Sequence, residues 1–406
     1  MKNNDSTSFI ANAEKKRNRA KWWFLVHSWA ALPIWAFVFF ICVSGTIATV
    51  SQEITWLVNP AVRANAPDNA TTMLSFDEIR AAVKQAQPTA IIKSIERPVK
   101  SQFALTVQIS YPDASSASVF VNPYTGVIQG TSSGLDFRSF MRALHGWLLM
   151  PFTVGYSIGW YIVAFFGVPM MISLVTGLVV YKRFWKSYFT PRLRINRGSR
   201  VFWGDFHRLA GIWSVPFIAI ISVTAMWFFI QAALYDNNIT FSTLGPPKFI
   251  DRQEVPNVPL NAPKPVIGLD ASTKVATDAF DDLEPEMIYL PLSAYSHYRL
   301  RGRSQNYPLL YEYFDINPYS GKLETSRRVS DLSMLEIVTG SMRPLHTGDF
   351  VGLSLKLVYF FFGILLSMMI FSGMMIWTKR TYKSTQTLLS RSIKAPSKTT
   401  KPEPSV

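Results

Sequence analysis

The sequence predicts an α-helical membrane protein with four transmembrane helices in two tandem repeats, each repeat carrying an exported α+β domain. Three observations lead to this fold class: four long apolar segments, an uneven distribution of basic residues, and a histidine motif that occurs in both halves. Of the 406 residues, 49% are hydrophobic and 17% are charged. This composition is more apolar than that of soluble domains, yet more polar than that of membrane helices alone. We therefore expect a chain divided between bilayer and water.

Four segments are long and apolar enough to cross a bilayer, whose hydrocarbon core of about 30 Å requires about 20 residues of helix. They are residues 22–50, 156–181, 209–235 and 353–378. The second and fourth are each preceded by a shorter amphipathic stretch. We therefore predict an interfacial helix followed by a membrane helix over 142–181 and over 342–378.

The basic residues are concentrated in three short segments, 1–21, 182–208 and 379–406, which together hold 21 basic and 4 acidic residues. The two long segments between the helices are nearly balanced, with 8 basic and 7 acidic residues in 52–142 and 11 and 14 in 236–345. Basic residues favour the cytoplasmic side of a membrane. This places both termini and the middle loop in the cytoplasm. The net charge of +15 thus reflects topology and does not indicate a nucleic-acid partner.

The two exported segments, 51–141 and 236–341, are each long enough for a small domain. Each is predicted to begin with an amphipathic helix and to continue with strands and a turn, Asn-Pro-Tyr-Thr-Gly at 122–126 and Asn-Pro-Tyr-Ser-Gly at 317–321. The single cysteine, Cys42, permits no intrachain disulfide, so packing alone must stabilise these domains. It also excludes cysteine-ligated zinc and iron–sulfur clusters within this chain.

A second motif supports the duplication. Residues 141–146 read Met-Arg-Ala-Leu-His-Gly, and residues 342–347 read Met-Arg-Pro-Leu-His-Thr. Each precedes a membrane segment with a similar ending, Thr-Gly or Ser-Gly followed by apolar and then basic residues. Because each half enters and leaves the membrane in the same way, we expect a pseudo-two-fold axis along the membrane normal.

Four of the five histidines lie at the ends of the apolar segments, one for each: His27, His145, His207 and His346. The predicted topology places His27 and His207 near the cytoplasmic side, and His145 and His346 at the exported face. The pseudo-two-fold relates the members of each pair. Two residues related by an axis, at one depth, can bind a ligand that lies on that axis, so two sites across the bilayer are expected.

Haem fits such pairs better than a bare metal ion. Two imidazoles are too few for zinc or non-haem iron, whereas haem needs only two axial ligands from the protein. Arg142, Arg343 and Arg208, together with Lys21, are candidates to bind haem propionates. A lone interfacial histidine is more often structural, and Arg142 and Arg343 could equally be interface anchors. The remaining histidine, His297, and the basic strand of Arg299, Arg301 and Arg303 are interpreted as a solvated surface or a weak substrate contact.

These motifs carry a family resemblance. The relevant sequences are Val-His-Ser-Trp at 26–29, Leu-His at 144–145, Asp-Phe-His-Arg-Leu-Ala-Gly at 205–211, Pro-Leu-His-Thr-Gly at 344–348, and the two Asn-Pro-Tyr turns. Over residues 22–380 the chain resembles the PepSY-associated transmembrane proteins, and among them the bacterial inner-membrane reductases of ferric siderophores. Ser28 stands where arginine is more usual, which removes one possible propionate partner.

The resemblance implies two haem b groups, periplasmic PepSY-like domains, and electron transfer from a cytoplasmic donor or quinol to an Fe(III)-siderophore. No dinucleotide-binding fingerprint or Walker A motif occurs, so hydride chemistry would belong to another protein. Two alternatives stay open. One is a non-catalytic PepSY protein that binds ligands or regulates a peptidase. The other is a transporter, although the predicted helices carry almost no ionisable residue at mid-depth.

Overall fold

A computed structural model describes residues 22–29, 34–67, 72–98, 100–181, 184–239, 248–258 and 265–394. The chain divides into two compact units. The first consists of Met1–Val43, Phe166–Val223 and Phe361–Val406, and the second of Ser44–Phe165 and Thr224–Phe360. The predicted cytoplasmic tail 1–21 lies outside the described residues.

Three helical spans in the described residues are long and apolar enough to cross a membrane: Ile158–Val180, Val215–Asp236 and Leu353–Thr378. A fourth is obtained if the bent pair Trp35–Thr49 and Ser51–Val58 counts as one span. The prediction of four spans therefore agrees with the structure once this bent pair is included.

The helices are α1 (residues 22–29), α2 (Trp35–Thr49), α3 (Ser51–Val58), α4 (Phe76–Ala86), α5 (Phe137–Trp147), α6 (Ile158–Phe165), α7 (Gly167–Val180), α8 (Phe184–Phe189), α9 (Ser199–Trp213), α10 (Val215–Asp236), α11 (Leu269–Ala279), α12 (Met334–Thr347) and α13 (Leu353–Lys394). The strands are β1 (Ile91–Glu96), β2 (Leu105–Ser110), β3 (Ser116–Val121), β4 (Ile128–Ser132), β5 (Leu283–Tyr289), β6 (Tyr298–Ser304), β7 (Tyr307–Ile316) and β8 (Leu323–Arg327).

Several helix bounds differ from the sequence-based expectation. The segment predicted as 22–50 bends by 58° after Thr49. There the hydroxyls of Thr49 and Ser51 donate to the carbonyls of Gly45 and Ala48, and such back-bonding often bends helices. The segment predicted as 209–235 is interrupted at Ser214, two residues before Pro216, so His207 lies in a separate helix, α9.

The interfacial helices also begin earlier than predicted. They start at Phe137 and Met334 rather than at 142 and 342. The reason is capping: the Asp136 side chain accepts from Ser139 N at 2.6 Å, and the Ser333 side chain accepts from Glu336 N at 3.3 Å. These bonds satisfy N–H groups that a helix start otherwise leaves unpaired.

The eight strands form one antiparallel sheet in the order β4-β3-β2-β1-β5-β6-β7-β8. Segments 51–141 and 236–341, which the sequence predicts as two separate exported domains, share this one sheet in the structure. The junction is the β1–β5 ladder, in which Ser94, Ile95 and Glu96 oppose Tyr289, Ile288 and Met287. Pairing removes the two inner edges that separate four-stranded sheets would expose.

Helices α4 and α11 pack on one face of this sheet and close a single hydrophobic core. Ile79, Ile95, Leu269, Leu300 and Phe314 are all fully buried in it. Burial of one such side chain stabilises the fold by about 1.5–3 kcal/mol. The core therefore joins side chains from the 51–141 and 236–341 segments into one hydrophobic cluster.

The two Asn-Pro-Tyr turns adopt the same conformation. Asn122 Oδ1 accepts from Tyr124 N at 2.9 Å and Thr125 N at 3.3 Å, and Asn317 Oδ1 accepts from Tyr319 N and Ser320 N at 3.0 and 3.3 Å. The glycine that ends each turn has a φ of +73°, which favours glycine. The predicted turns are confirmed.

Candidate functional site

The structure places His27 beside His207, with ring centroids 6.4 Å apart and an angle of 73° between the rings. His27 lies in α1 and His207 in α9, and both belong to the first unit. The sequence-based pairing of these two residues therefore corresponds to neighbouring side chains.

Hydrogen bonds fix the orientation of both rings. Nδ1 of His27 lies 3.1 Å from both Ser173 O and Thr176 Oγ1. Nδ1 of His207 lies 3.0 Å from both Met369 O and Ser372 Oγ. A carbonyl oxygen only accepts, so Nδ1 carries the proton in each ring and Nε2 has the lone pair that a metal requires.

The second pair has a similar arrangement within the second unit. The ring centroids of His145 in α5 and His346 in α12 lie 6.2 Å apart, with an interplanar angle of 27°. Nδ1 of His145 lies 3.4 Å from Ser44 Oγ, and Nδ1 of His346 lies 2.7 Å from Thr224 Oγ1. Each of the four histidines thus has a serine or threonine hydroxyl at Nδ1.

The centroid separations fit two imidazoles on opposite sides of one metal ion. An imidazole nitrogen binds a metal at about 2 Å and the ring centre lies about 1.1 Å behind it, so trans imidazoles have centroids about 6.3 Å apart. Among the described residues, no three histidine, cysteine or acidic side chains converge as a metal site. A donor set of two imidazoles suits a metal whose other ligands come from a cofactor.

Glycines allow close approach of helix backbones to the rings. A Cβ atom built on Gly45 would lie 2.6 Å from His145 Cε1, and one on Gly373 would lie 3.2 Å from His207 Cε1. The corresponding distance from Gly177 to His27 Cε1 is 3.5 Å. The Thr-Gly and Ser-Gly endings of the two membrane segments therefore lie against His27 and His207, a contact that the sequence alone does not indicate.

An aromatic side chain contacts the 145/346 pair, and other aromatic side chains pack between helices of the first unit. The Phe228 ring centroid is 5.3 Å from that of His346. In the first unit, Phe371 lies 5.6 Å from Trp203 and 6.2 Å from Phe39. These contacts are consistent with apolar walls around a planar ligand.

Arg142 and Arg343 lie one helical turn before His145 and His346, in α5 and α12. The Arg142 side chain is exposed, yet partial desolvation by surrounding protein atoms, and then the neighbouring cations Arg343 and Arg138, lower the pKa of Arg142 to about 10. Neither Arg142 nor Arg343 forms an ion pair with any residue in the described ranges. Two neighbouring guanidinium groups of this kind favour an anionic ligand.

Arg208 is placed differently. It pairs with Asp205, a carboxylate that also binds Arg194, and its Nε donates to Gly204 O at 3.1 Å. A haem propionate would therefore have to compete with Asp205 for Arg208. Lys21, the other candidate near this pair, lies outside the described residues.

The basic strand β6 is neutralised by carboxylates. Arg299 pairs with Asp315 at 2.7 Å, Arg301 with Glu96 at 2.8 Å, and Arg303 with Glu286 at 3.4 Å. His297 precedes this strand, near Asp315. The strand therefore carries an ion-paired face, but only Arg299, with 44% of its side chain exposed, is well solvated. The Arg301 and Arg303 side chains are 15% and 17% exposed, so the expectation of a solvated surface is wrong for these two.

Comparison with known proteins adds one finding. No curated protein matches the chain. A family model described as the PepSY-associated TM region matches residues 24–380, which includes all four paired histidines. The chain therefore belongs to the PepSY-associated transmembrane family and is a multi-pass membrane protein.

Proposed function

We propose that this protein is a di-haem b membrane reductase that passes electrons from a cytoplasmic donor or the quinol pool to a periplasmic Fe(III)-siderophore, releasing the iron. The observation that carries the proposal is the geometry of the two histidine pairs. Their centroid separations of 6.4 and 6.2 Å suit axial ligation of one metal ion each. A purely structural role for four histidines does not require this spacing twice.

We infer further that the chain consists of two tandem repeats with pseudo-two-fold symmetry. The residues at Nδ1 support this inference, because Ser44 follows His27 at the same spacing as Thr224 follows His207. Likewise, Ser173 and Thr176 precede Gly177 as Met369 and Ser372 precede Gly373. In this proposal each repeat supplies one histidine to each site.

When bound at each pair, haem would supply a one-electron carrier, held by the two imidazoles of that pair. The protein's own residues bind and orient it. Nε2 of each histidine is the proposed iron ligand, and the hydroxyl at Nδ1 holds the ring in position. Arg142 and Arg343 are the proposed partners of propionates at the 145/346 pair, since neither is neutralised by a carboxylate of the described residues.

The charge distribution supports an orientation in a bacterial inner membrane with both termini and the 182–208 loop in the cytoplasm. In this orientation the 27/207 pair is near the electron donor, and the 145/346 pair and the sheet face the periplasm. Hexadentate siderophores bind Fe(III) more tightly than Fe(II), so reduction on that side would release iron.

The experiment that tests the proposal is haem stoichiometry by pyridine haemochrome on purified protein from haem-supplemented cells. Wild type should show a Soret band, with α and β bands after reduction by dithionite. Replacing one histidine of a pair with alanine should remove about half of the haem, because the other pair stays intact. His297→Ala is the matched control and should retain all of it.

Activity gives a second readout. His145→Ala and His346→Ala should abolish reduction of a ferric hydroxamate while the haem at the 27/207 pair is retained. Colourless wild-type protein would contradict the proposal and favour a non-catalytic PepSY protein. Loss of all haem from a single variant would contradict the assignment of separate pairs.

A further inference from the structure

A cavity of about 480 Å³ opens on the first unit, beside the helix that carries His207. Tyr181, which follows α7, forms one wall, and Leu209 and Ile212 of α9 form another. Arg192, Arg194 and Arg208 line the polar side. Its volume is in the range of small-ligand sites.

A single buried carboxylate organises two of these arginines. Asp205 is only 3% exposed. Its Oδ2 accepts from Arg194 Nε at 2.8 Å, its Oδ1 accepts from an Arg194 Nη atom at 3.0 Å, and Arg208 also donates to Oδ1. These bonds, those from Arg194 foremost, hold the pKa of Asp205 well below its usual range. The carboxylate therefore stays ionised and keeps both guanidinium groups at the cavity.

The cavity keeps an excess of positive charge. Asp205 offsets one of the three guanidinium groups, and Arg192 has no ion-pair partner in the part of the chain that the structure describes. The Arg194 and Arg208 side chains remain 47% and 50% exposed. They are thus fixed at one edge by Asp205 while their other N–H groups stay accessible.

Fixed guanidinium groups and an excess of positive charge favour a ligand that carries a phosphate group. Guanidinium groups in fixed positions bind phosphate oxygens through paired, charge-assisted hydrogen bonds. The cavity adjoins the ends of candidate membrane spans that finish at Val180 and begin at Val215. Basic pockets between transmembrane helices on the cytoplasmic side are known to bind phospholipid headgroups. Leu209, Ile212 and Tyr181 add apolar surface next to the charges.

We propose that this cavity is a binding site for a phosphate group, held by Arg192, Arg194 and Arg208. The phosphate belongs either to an anionic phospholipid headgroup or to a soluble phosphate compound such as a flavin nucleotide. The proposal does not depend on the haem assignment, because none of these arginines is an iron ligand.

The test measures binding to full-length protein in neutral detergent at constant ionic strength. Native mass spectrometry and thermal melting are recorded with phosphatidylglycerol, phosphatidylcholine, inorganic phosphate and flavin mononucleotide. We expect at least one phosphate anion to bind more tightly than zwitterionic phosphatidylcholine. A stronger effect of phosphatidylglycerol identifies a lipid site, and a stronger effect of flavin mononucleotide or phosphate identifies a soluble ligand.

Arg192→Gln is the informative variant, because it removes a guanidinium group without disturbing the bonds of Asp205. Loss of one charge-assisted contact should weaken the binding about tenfold. Arg200→Gln is the matched control, since Arg200 is an exposed arginine of the same basic segment that does not line the cavity. Equal binding of all four compounds, or an equal loss in both variants, would overturn the proposal.

Discussion

At the scale of single residues, the orientation of an imidazole depends on what its Nδ1 contacts. Nδ1 of His27 and Nδ1 of His207 each contact a carbonyl and a hydroxyl. Within the described residues, Nδ1 of His346 contacts one hydroxyl, that of Thr224. Outer contacts of this kind fix the ring and raise the basicity of the ligand. Loss of a hydroxyl should therefore affect haem binding at the two histidine pairs to different extents.

Thr224→Val should weaken haem binding at the 145/346 pair more than Thr176→Val weakens it at the 27/207 pair. Valine keeps the shape but leaves His346 Nδ1 without its 2.7 Å contact, while His27 retains Ser173 O. Loss of such a contact lowers metal affinity by about 10–100-fold. Haem release to apomyoglobin measures the difference. Equal release from both variants would show that the hydroxyls do not orient the rings.

Gly45→Ala should displace the His145 ring and lower haem content at that pair. The new Cβ would lie 2.6 Å from Cε1, closer than the 3.5–4.0 Å of ordinary carbon contacts. Gly177→Ala is the matched control, because its Cβ would lie 3.5 Å from the His27 ring. Alanine is the better helix former, so helix propensity cannot explain a loss. Haem stoichiometry is the readout, and full retention in Gly45→Ala would contradict the expectation.

The four histidines and their pairing could be predicted from the sequence, because His145 and His346 occur in a repeated motif and His27 and His207 lie at matching ends of the first and third apolar segments. Ser44, Gly45 and Thr224 could not be. They are ordinary small residues within apolar helices, and their importance depends on which helix face meets α5 or α12. The sequence offers one indication of Ser44 and Thr224: Ser44 follows His27 at the same spacing as Thr224 follows His207.

At the scale of secondary-structure elements, two helix starts cap each other across the sheet domain. Asp270 of α11 accepts from Phe76 N and Asp77 N of α4 at 2.9 and 3.3 Å, and Asp77 accepts from Asp270 N at 3.0 Å. Carboxylates satisfy the unpaired N–H groups at helix starts and interact favourably with the helix dipole. This exchange joins the 51–141 and 236–341 segments independently of the β1–β5 ladder.

Asp270→Ala should destabilise the sheet domain by about 1–2 kcal/mol, since two N–H groups of α4 lose their acceptor. Asp278→Ala is the matched control in the same helix. It removes only an exposed pair with Lys274, in which the two side chains are 61% and 72% exposed. Such pairs contribute little. Thermal melting followed by circular dichroism should separate the variants, and equal melting temperatures would argue against the cross-capping.

Asp315→Asn should destabilise the protein at neutral pH but much less in acid. Burial alone would raise the pKa of Asp315, but hydrogen bonds from Arg299 and Thr325 outweigh it and lower that pKa. A lowered folded pKa means that the stabilisation is present above the unfolded value of about 3.9 and is lost as the pH falls through the folded value. At pH 7 we expect a cost of about 1 kcal/mol. A difference in melting temperature that stays constant down to pH 3 would contradict this.

The turns, the opening helices and six of the eight strands of the 51–141 and 236–341 segments could be predicted because their patterns are local, but β1 and β5 are not among the predicted strands. The single sheet could not, because β1 and β5 are separated by two membrane segments and only their exposed edges favour pairing. The bend after Thr49 likewise depends on hydroxyl bonds to Gly45 and Ala48, which apolar periodicity does not reveal.

At the scale of the whole molecule, the halves follow the same order of elements, yet they differ in charge. Strand β6 carries Arg299, Arg301 and Arg303, whereas β2, at the corresponding place, carries none. Each arginine pairs with a carboxylate, and Glu96 is provided by the other half. The sheet therefore depends on both the 51–141 and the 236–341 segment for its ion pairs as well as for its core.

Division of the chain between Gly198 and Ser199 tests the dependence of the halves on each other. Each half would contain one histidine of each pair and four strands of the sheet. We therefore expect neither half alone to retain haem as a monomer, because each site lacks one axial ligand and the β1 or β5 edge is exposed. Co-expression of the halves should restore haem, because the β1–β5 ladder and the shared core can form between two chains. Haem content and size-exclusion elution measure the result. Haem bound by a monomeric half, or its absence from a co-purified pair of halves, would contradict the proposed exchange of ligands between the repeats.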